Sequence, residues 1–350
     1  MSHPFVRTVF TLVISAAGVL VFWALGLPLP FLFGPMFASL IAALAGAKLH
    51  GIGSISIAAR TILGVAVGAS ITPAVLGQIP NMLASVALVP LYIAVIAAIG
   101  VPFFYKVCKL DKVTAYYAAM PGGLQDMVVF GQEAGGDVRA LSLIHATRVL
   151  VIVSLAPIIL TQFMDVDLSN PVGEPAANIP VHELVIMALA AFIGWKGGTK
   201  IGLFGASILG PMIVTGILSI MDIIHFRPPA EAILFAQFFI GMGIGVGYVG
   251  VTVRELQRFV ASGAAYVLLL AFLAIVFAEI VVLTGLAAPL EGFMAFSPGG
   301  QAEMTVLAII AGADLGYVVV HHLVRLVLVI SGAPLIAGLF GVNKPRGGGP

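Results

Sequence analysis

Five stretches of this chain contain no Asp, Glu, Lys or Arg: Thr8 to Ala47, Thr61 to Tyr105, Ile201 to Met221, Ala232 to Val253 and Phe259 to Ala278. A helix needs about 20 predominantly apolar residues to cross the hydrocarbon core of a bilayer. Three of the stretches are long enough for one span, and two are long enough for a pair. Inside lipid every backbone N–H and C=O must find its partner within the segment, so runs of this kind form helices. Composition agrees. The 350 residues are 61% hydrophobic and 9% charged, against about 25% charged in ordinary soluble domains. So few polar groups cannot clothe a domain of this size in water, and the expected fold is an all-α integral membrane protein.

The same counts exclude several functions. A net charge of +1 with no basic tract leaves no footprint for a nucleic-acid partner. Cys108 is the only cysteine, so neither a disulfide framework nor a thiolate metal cage is expected. No P-loop glycine-lysine motif is present, which argues against ATP-driven transport within this chain. The chain is not expected to be an enzyme or to carry a metal or cofactor. The first apolar run, after Arg7, imitates a signal peptide but extends over about 19 residues without a small-x-small cleavage site, and reads as an uncleaved span.

Proline and glycine clusters divide the runs. Leu27-Pro28-Leu29-Pro30 separates the first two spans, and Thr72-Pro73 through Ile79-Pro80-Asn81 separates the third from the fourth. About ten spans result, at roughly 7–26, 31–47, 55–72, 82–104, 138–161, 179–195, 202–221, 231–250, 259–284 and 316–340. Two segments broken by Gly and Pro are left over, about 112–134 and 289–312. If both re-enter rather than cross, Arg7, Lys48, Lys106, Lys109, Lys112, Arg139, Lys196, Lys200, Arg254, Arg258, Lys344 and Arg346 share one side and only Arg227 lies opposite. If both cross, the division falls to 8 against 5. Basic residues of short loops stay cytoplasmic, so re-entrant hairpins are expected, with both termini inside and the protein in the bacterial inner membrane.

The chain also contains itself twice. Met120-Pro121-Gly122-Gly123-Leu124-Gln125-Asp126-Met127 returns as Ser297-Pro298-Gly299-Gly300-Gln301-Ala302-Glu303-Met304, a shift of 177. That shift also carries Gly135-Gly136-Asp137 to Gly312-Ala313-Asp314, His145 to His322, Arg148 to Arg325, Pro157 to Pro334, and Gly64 and Gly68 to Gly241 and Gly245. A shift of 176 carries Gly34-Pro35-Met36 to Gly210-Pro211-Met212. The expected organisation is a first membrane repeat over 1–165 and a second over 176–342. Five crossings in each make the repeats inverted, a hallmark of secondary transporters whose sites lie near the midplane.

The Pro-Gly-Gly-x-x-Asp/Glu-Met, Gly-Gly/Ala-Asp and His-x-x-Arg series, occurring twice, resembles the AbrB membrane-protein family over about Phe31 to Phe340. That family is often labelled an ammonia monooxygenase or a regulator of gene expression, and is distinct from the small DNA-binding regulator of the same name. Neither label follows from the residues. No clustered histidines form a copper site and no element reads DNA, so a regulator of this kind would act indirectly from the membrane.

Charges inside a bilayer cost several kcal/mol unless paired, so each is a functional candidate. Arg148 and Arg325 sit about ten residues into their spans, near the middle of a core about 30 Å thick. His145 and His322 precede them by three, on the same helix face. Each arginine either neutralises a carboxylate of its own hairpin or serves a substrate or ion path. Pro121, Gly122 and Gly123, and Pro298, Gly299 and Gly300, break the helix. Proline removes a donor and glycine permits left-handed dihedrals for a reversal at depth. Beyond each break a half-helix begins, and its N-terminus favours anions. Gln125, Asp126, Gln301 and Glu303 lie in those first turns, either capping helix starts or coupling protons or cations. Asp137 and Asp314 read as N-caps. Arg60 stands where the second half has Gln237, and would compensate Asp126 or Glu303 or contact substrate. Glu279, near a helix end, reaches the interface. The glycine series reads as close helix packing.

The combined expectation is about ten transmembrane helices plus two re-entrant hairpins in an inverted repeat. A secondary transporter of a small anionic solute, coupled to H+ or Na+, fits this best, with a channel and an indirect membrane regulator as alternatives. Its partners would be the lipid bilayer and the solute, with a homo-oligomer left open.

Overall fold

The computed structural model describes residues 4–27, 29–168, 173–203, 205–340 and 342, with the backbone alone at 74–76, 78, 79, 125, 302 and 340. Lys344 and Arg346, the Pro28 of the first linker and the side chain of Gln125 therefore lie outside the described residues. Every regular element described is a helix. They run α1 (Pro4–Ala24), α2 (Pro30–Leu44), α3 (Gly53–Gly68), α4 (Pro73–Val86), α5 (Leu88–Pro102), α6 (Lys112–Ala119), α7 (Leu124–Glu133) and α8 (Val138–Phe163). After them come α9 (Val181–Lys200), α10 (Ala206–Ile220), α11 (Ala230–Val246), α12 (Val253–Glu255), α13 (Ala261–Leu283), α14 (Pro289–Phe296), α15 (Gln301–Ala311) and α16 (Leu315–Ile336).

Six helices are long and apolar enough to cross a membrane: Pro4–Ala24, Pro80–Val107, Val138–Phe163, Val181–Lys200, Val253–Leu283 and Leu315–Leu339. Four shorter apolar helices, α2, α3, α10 and α11, have 15, 16, 15 and 17 residues. At 1.5 Å per residue they rise about 22–26 Å, somewhat less than a hydrocarbon core of about 30 Å. Large apolar side chains such as Trp23 on α1, Phe192 on α9 and Phe272 on α13 point outward, a surface that lipid covers better than water.

The segment from Pro73 to Pro80, which separates the third span from the fourth, is itself helical: it forms the first part of α4, which carries Pro80 inside it, and the next candidate span runs Pro80–Val107. Proline at a first helical position is pre-organised for the helix, and a second, a full turn or more further on, removes only one ladder hydrogen bond.

The chain divides into two compact units. The first is Met1–Pro80, Pro157–Gly250 and Ala302–Gly316. Its helices pack backbone to backbone through glycine. A Cβ on Gly68 of α3 would come 2.6 Å from the Met212 carbonyl of α10, and one on Gly245 of α11 would come 2.5 Å from the Met36 carbonyl of α2. Gly68 and Gly245 are repeat mates, as are Met36 and Met212, so each half's glycine helix packs on the other half's partner. Gly18 against Gly34 joins α1 to α2, and Gly194 against Gly210 joins α9 to α10 in the same way. Close approach of this kind replaces the hydrophobic drive that lipid cannot supply.

The second unit is Asn81–Ala156, Val251–Gln301 and Tyr317–Pro350. Its core is aromatic and aliphatic, with Tyr92, Phe104, Tyr116, Leu141, Tyr266 and Phe296 each at most 2% exposed. Tyr92 packs on Phe277 and Phe296, with ring centroids 4.9 and 5.4 Å away. At one end Arg139 meets Glu255 at 2.7 Å. Glu255 also closes a capping box with Thr252 at the start of α12.

A doubled helix break as the candidate functional site

The second unit holds both Pro-Gly-Gly breaks, and they are built alike. Asp111 caps α6 by accepting from the Thr114 N–H at 2.9 Å. The helix then runs eight residues, about 12 Å, and stops. Met120 (φ −70°, ψ 131°) and Gly123 (φ −63°, ψ 144°) are extended, as is Ser297 (φ −58°, ψ 129°) after α14. Proline explains the stop, since the residue before it is driven out of the helical region.

The expected role of the break glycines is corrected here. None of Gly122, Gly123, Gly299 and Gly300 has positive φ; the left-handed glycines are Gly135 (φ 87°) and Gly312 (φ 70°), in the turns that follow α7 and α15. At Gly122 the need is space, since a Cβ there would lie 2.7 Å from the Met127 methyl.

A helix that ends at depth leaves carbonyl oxygens unpaired and a partial negative charge at its C-terminus. Arg148 of α8 supplies the answer for the first break, donating from Nη1 to the Met120 carbonyl at 3.1 Å and from Nη2 to the Gly122 carbonyl. Arg325 of α16 donates to the Ser297 carbonyl at 2.7 Å and to the Gly299 carbonyl at 3.2 Å. The histidines work one turn earlier. His145 Nε2 lies 3.0 Å from the Tyr117 carbonyl and His322 Nε2 lies 2.9 Å from the Met294 carbonyl. A carbonyl only accepts, so both rings donate from Nε2. All six carbonyls pair off under the shift of 177, 117 to 294, 120 to 297 and 122 to 299, so the doubled motif is also a doubled hydrogen-bond pattern. Both arginines thus donate to backbone carbonyls, and both side chains are buried.

Two tyrosines that sequence reasoning missed complete the helix ends. Tyr266 of α13 donates to the Ala119 carbonyl at 2.7 Å and Tyr92 of α5 donates to the Phe296 carbonyl at 2.8 Å. Ala119 and Phe296 are repeat mates, and the tyrosines are related by a shift of 174. Each half therefore caps the broken helix of the other. The only available signal was a tyrosine in an uncharged span, whose hydroxyl needs a partner when buried. Tyr92, Tyr266 and both arginines lie in the second unit.

The contacts of the first break climb in step. Thr114 Oγ1 accepts from the Asp137 N–H at 2.8 Å, Tyr117 meets His145, and Met120 meets Arg148. α6 therefore runs parallel to α8, and α7 returns from the break to the turn where α8 begins. Asp137 is the N-cap of α8, accepting from the Ala140 N–H at 3.0 Å.

Asp126 is the third residue of α7, and Glu303 is the third residue of α15, where a carboxylate complements the helix dipole. Gln125 and Gln301 are the second and first residues of the same helices. The unit boundary falls inside α15, with Gln301 in the second unit and Glu303 in the first. Arg60 lies midway along α3, half-buried in the first unit, and Gln237 is buried on α11 in that unit. Asp126 is in the second unit. Among the described residues no group of three or more His, Cys, Asp or Glu could hold a metal ion.

The family model described as "Transition state regulatory protein AbrB" matches residues 31–341. A protein of Escherichia coli (strain K12), provisionally named regulator AbrB, is 26% identical over 337 residues, covering 93% of this chain and 94% of that protein. The uncharacterised protein YhjN of Bacillus subtilis (strain 168) is 26% identical over 311 residues, covering 82% of this chain and 80% of that one. No solved structure matches.

Proposed function

The chain belongs to the AbrB family, and from that premise we propose that it is a multi-pass protein of the bacterial inner membrane working as a secondary transporter. The solute is small and anionic, and it moves with protons or sodium ions. The observation that carries this reading is the buried helix break, present twice with the same arginine and histidine on the same carbonyls. Discontinuous helices at membrane depth, related by an internal repeat, are how secondary transporters present backbone dipoles to solutes and ions.

In this reading the six long and four short apolar helices make ten crossings. The pairs α6–α7 and α14–α15 re-enter without crossing, which leaves both termini cytoplasmic by the distribution of Lys and Arg. Support for re-entrance comes from the first break, where both arms begin and end at the level of Thr114 and Asp137. Each half-helix C-terminus is neutralised by an arginine, while the N-termini of α7 and α15 present the positive ends of their helix dipoles. Asp126 and Glu303, each in the first turn of its half-helix, are the carboxylates proposed for coupling.

The test has two stages. Purified protein is screened by thermal shift against organic acids, amino acids and ammonium, with and without sodium. A ligand at 100 times its Kd adds about 2.7 kcal/mol of stability. Hits then enter uptake assays in proteoliposomes under an imposed proton or sodium gradient. Gradient-dependent uptake of an anion is expected. Binding without uptake would instead favour the regulatory role that the Escherichia coli relative's name states of that protein.

A further inference from the structure

His321, on α16, has no histidine counterpart, since the residue 177 positions earlier is Ile144. It is 1% exposed, yet both ring nitrogens have partners. Nδ1 lies 2.8 Å from the Tyr317 carbonyl oxygen, and Nε2 lies 3.0 Å from Ser85 Oγ at the end of α4. A carbonyl oxygen only accepts, so Nδ1 carries a hydrogen. Ser85 is fully buried, and its hydroxyl donates to the Met82 carbonyl at 2.9 Å. A hydroxyl that has spent its one proton on Met82 can only accept from Nε2. A ring with hydrogen on both nitrogens is an imidazolium. When the ring is neutral, Nε2 is a lone pair, and the Ser85 hydroxyl must turn from Met82 to face it. The charge of His321 and the direction of Ser85 are therefore one switch.

Glu291, in the first turn of α14, is only partly buried. The Tyr317 and Phe296 rings enclose the imidazole at 4.2 and 5.8 Å. The other ionisable groups nearby are engaged elsewhere. Arg325, one turn along α16, holds Ser297 and Gly299, His322 holds Met294, and Tyr92 from α5 holds Phe296.

We propose that His321 is a proton-binding site whose occupancy is coupled to the direction of the Ser85 hydroxyl. When a proton binds Nε2, the Ser85 hydroxyl donates to the Met82 carbonyl and accepts from the imidazolium; when the proton leaves, the hydroxyl turns to donate to Nε2. Use of this proton in coupling rests on the transport reading, while the binding itself does not.

The experiment is a pH titration, by nitrogen-15 NMR, of histidine-labelled full-length protein in lipid nanodiscs. His321→Gln assigns the signal among the seven histidines. If that variant does not fold, Tyr317→Phe, which removes only the hydroxyl, assigns it by its shift. The His321 signal is expected to pass between a neutral ring with hydrogen on Nδ1 and a doubly protonated ring within pH 5 to 9. Ser85→Ala removes an acceptor from the charged ring, so proton binding should weaken roughly tenfold or more. A signal that stays in one form throughout, or a midpoint unmoved by Ser85→Ala, would overturn the proposal. Sodium-driven uptake alongside an unresponsive His321 would overturn the proton site and leave the transport reading standing. A titrating His321 with no uptake of any solute would support the site and count against transport.

Discussion

Replacing Arg148 by Gln removes the guanidinium that donates to the Met120 and Gly122 carbonyls at the end of α6. Hydrogen bonds from a charged donor contribute about 1.5–3 kcal/mol each. Arg148 is 3% exposed, so solvent does not screen the loss, and no water replaces the donor. Glutamine regains part of one bond at best. Arg148→Gln should therefore destabilise the protein by about 3–5 kcal/mol, the range seen when one partner of a buried charged interaction is removed. Arg325→Gln should match it within about 1 kcal/mol, because its two bonds end on the mate carbonyls of the other break. Unfolding in mixed micelles titrated with detergent, followed by circular dichroism, measures both. The informative variant is the double one. If the arginine mainly balanced the neighbouring carboxylate, Arg148→Gln with Asp126→Asn would restore stability, since removing both partners of a buried pair costs far less than removing one. Backbone carbonyls cannot be removed by mutation, so no such rescue is expected. Recovery of more than about 2 kcal/mol in the double variant would refute the carbonyl account.

Other expectations concern glycine and histidine. Gly135→Ala and Gly312→Ala should each cost about 1–2 kcal/mol in unfolding assays, since φ of 87° and 70° is strained for alanine. Gly122→Ala should cost less, because the atom in its way is the mobile end of Met127. Gly68→Ala places a Cβ 2.6 Å from the Met212 carbonyl and should lose about 1–3 kcal/mol, whereas Gly197→Ala, with nothing within 4 Å, should be neutral or slightly stabilising. In the loop after α10, His225 donates to the buried Glu183 at 3.0 Å, and that hydrogen bond raises its pKa above the usual histidine value. A group that binds its proton more tightly when folded stabilises the fold below its ordinary pKa and loses that contribution as pH rises through the folded one. The melting temperature should therefore fall on going from about pH 6 to pH 8, and the slope should flatten in His225→Gln.

What was legible in the chain follows from what the bilayer forbids. Uncharged runs mark helices because a charge at depth is costly, and the helices found at Pro4–Ala24, Val138–Phe163 and Leu315–Ile336 lie close to where those runs place them. The breaks at Pro121 and Pro298 were visible because proline ends a helix wherever it stands. The carbonyl partners of Arg148 and Arg325 were not, since a backbone carbonyl carries no letter. Tyr92 and Tyr266 escaped because a hydroxyl leaves no charge signature and their shift differs from that of the motif. His321 and Ser85 are 236 positions apart, and no local pattern links them. The glycines misled in detail: Gly122 and Gly299 look like reversals, yet Gly135 and Gly312 take the left-handed conformation, because tight turns demand it and an extended break does not.

The claim on which the whole account turns is that the broken segments enter and leave on one face. Cys108 is the only native cysteine, so a Cys108→Ser background allows single cysteines at Lys112 and Glu133, both exposed at the outer ends of α6 and α7. Labelling with a membrane-impermeant maleimide in right-side-out and inverted vesicles reads the side of each directly. Both positions should react only in inverted vesicles, on the cytoplasmic face. Reaction of Lys112→Cys from one side and Glu133→Cys from the other would make the segment a crossing helix and contradict the re-entrant, inverted-repeat transporter.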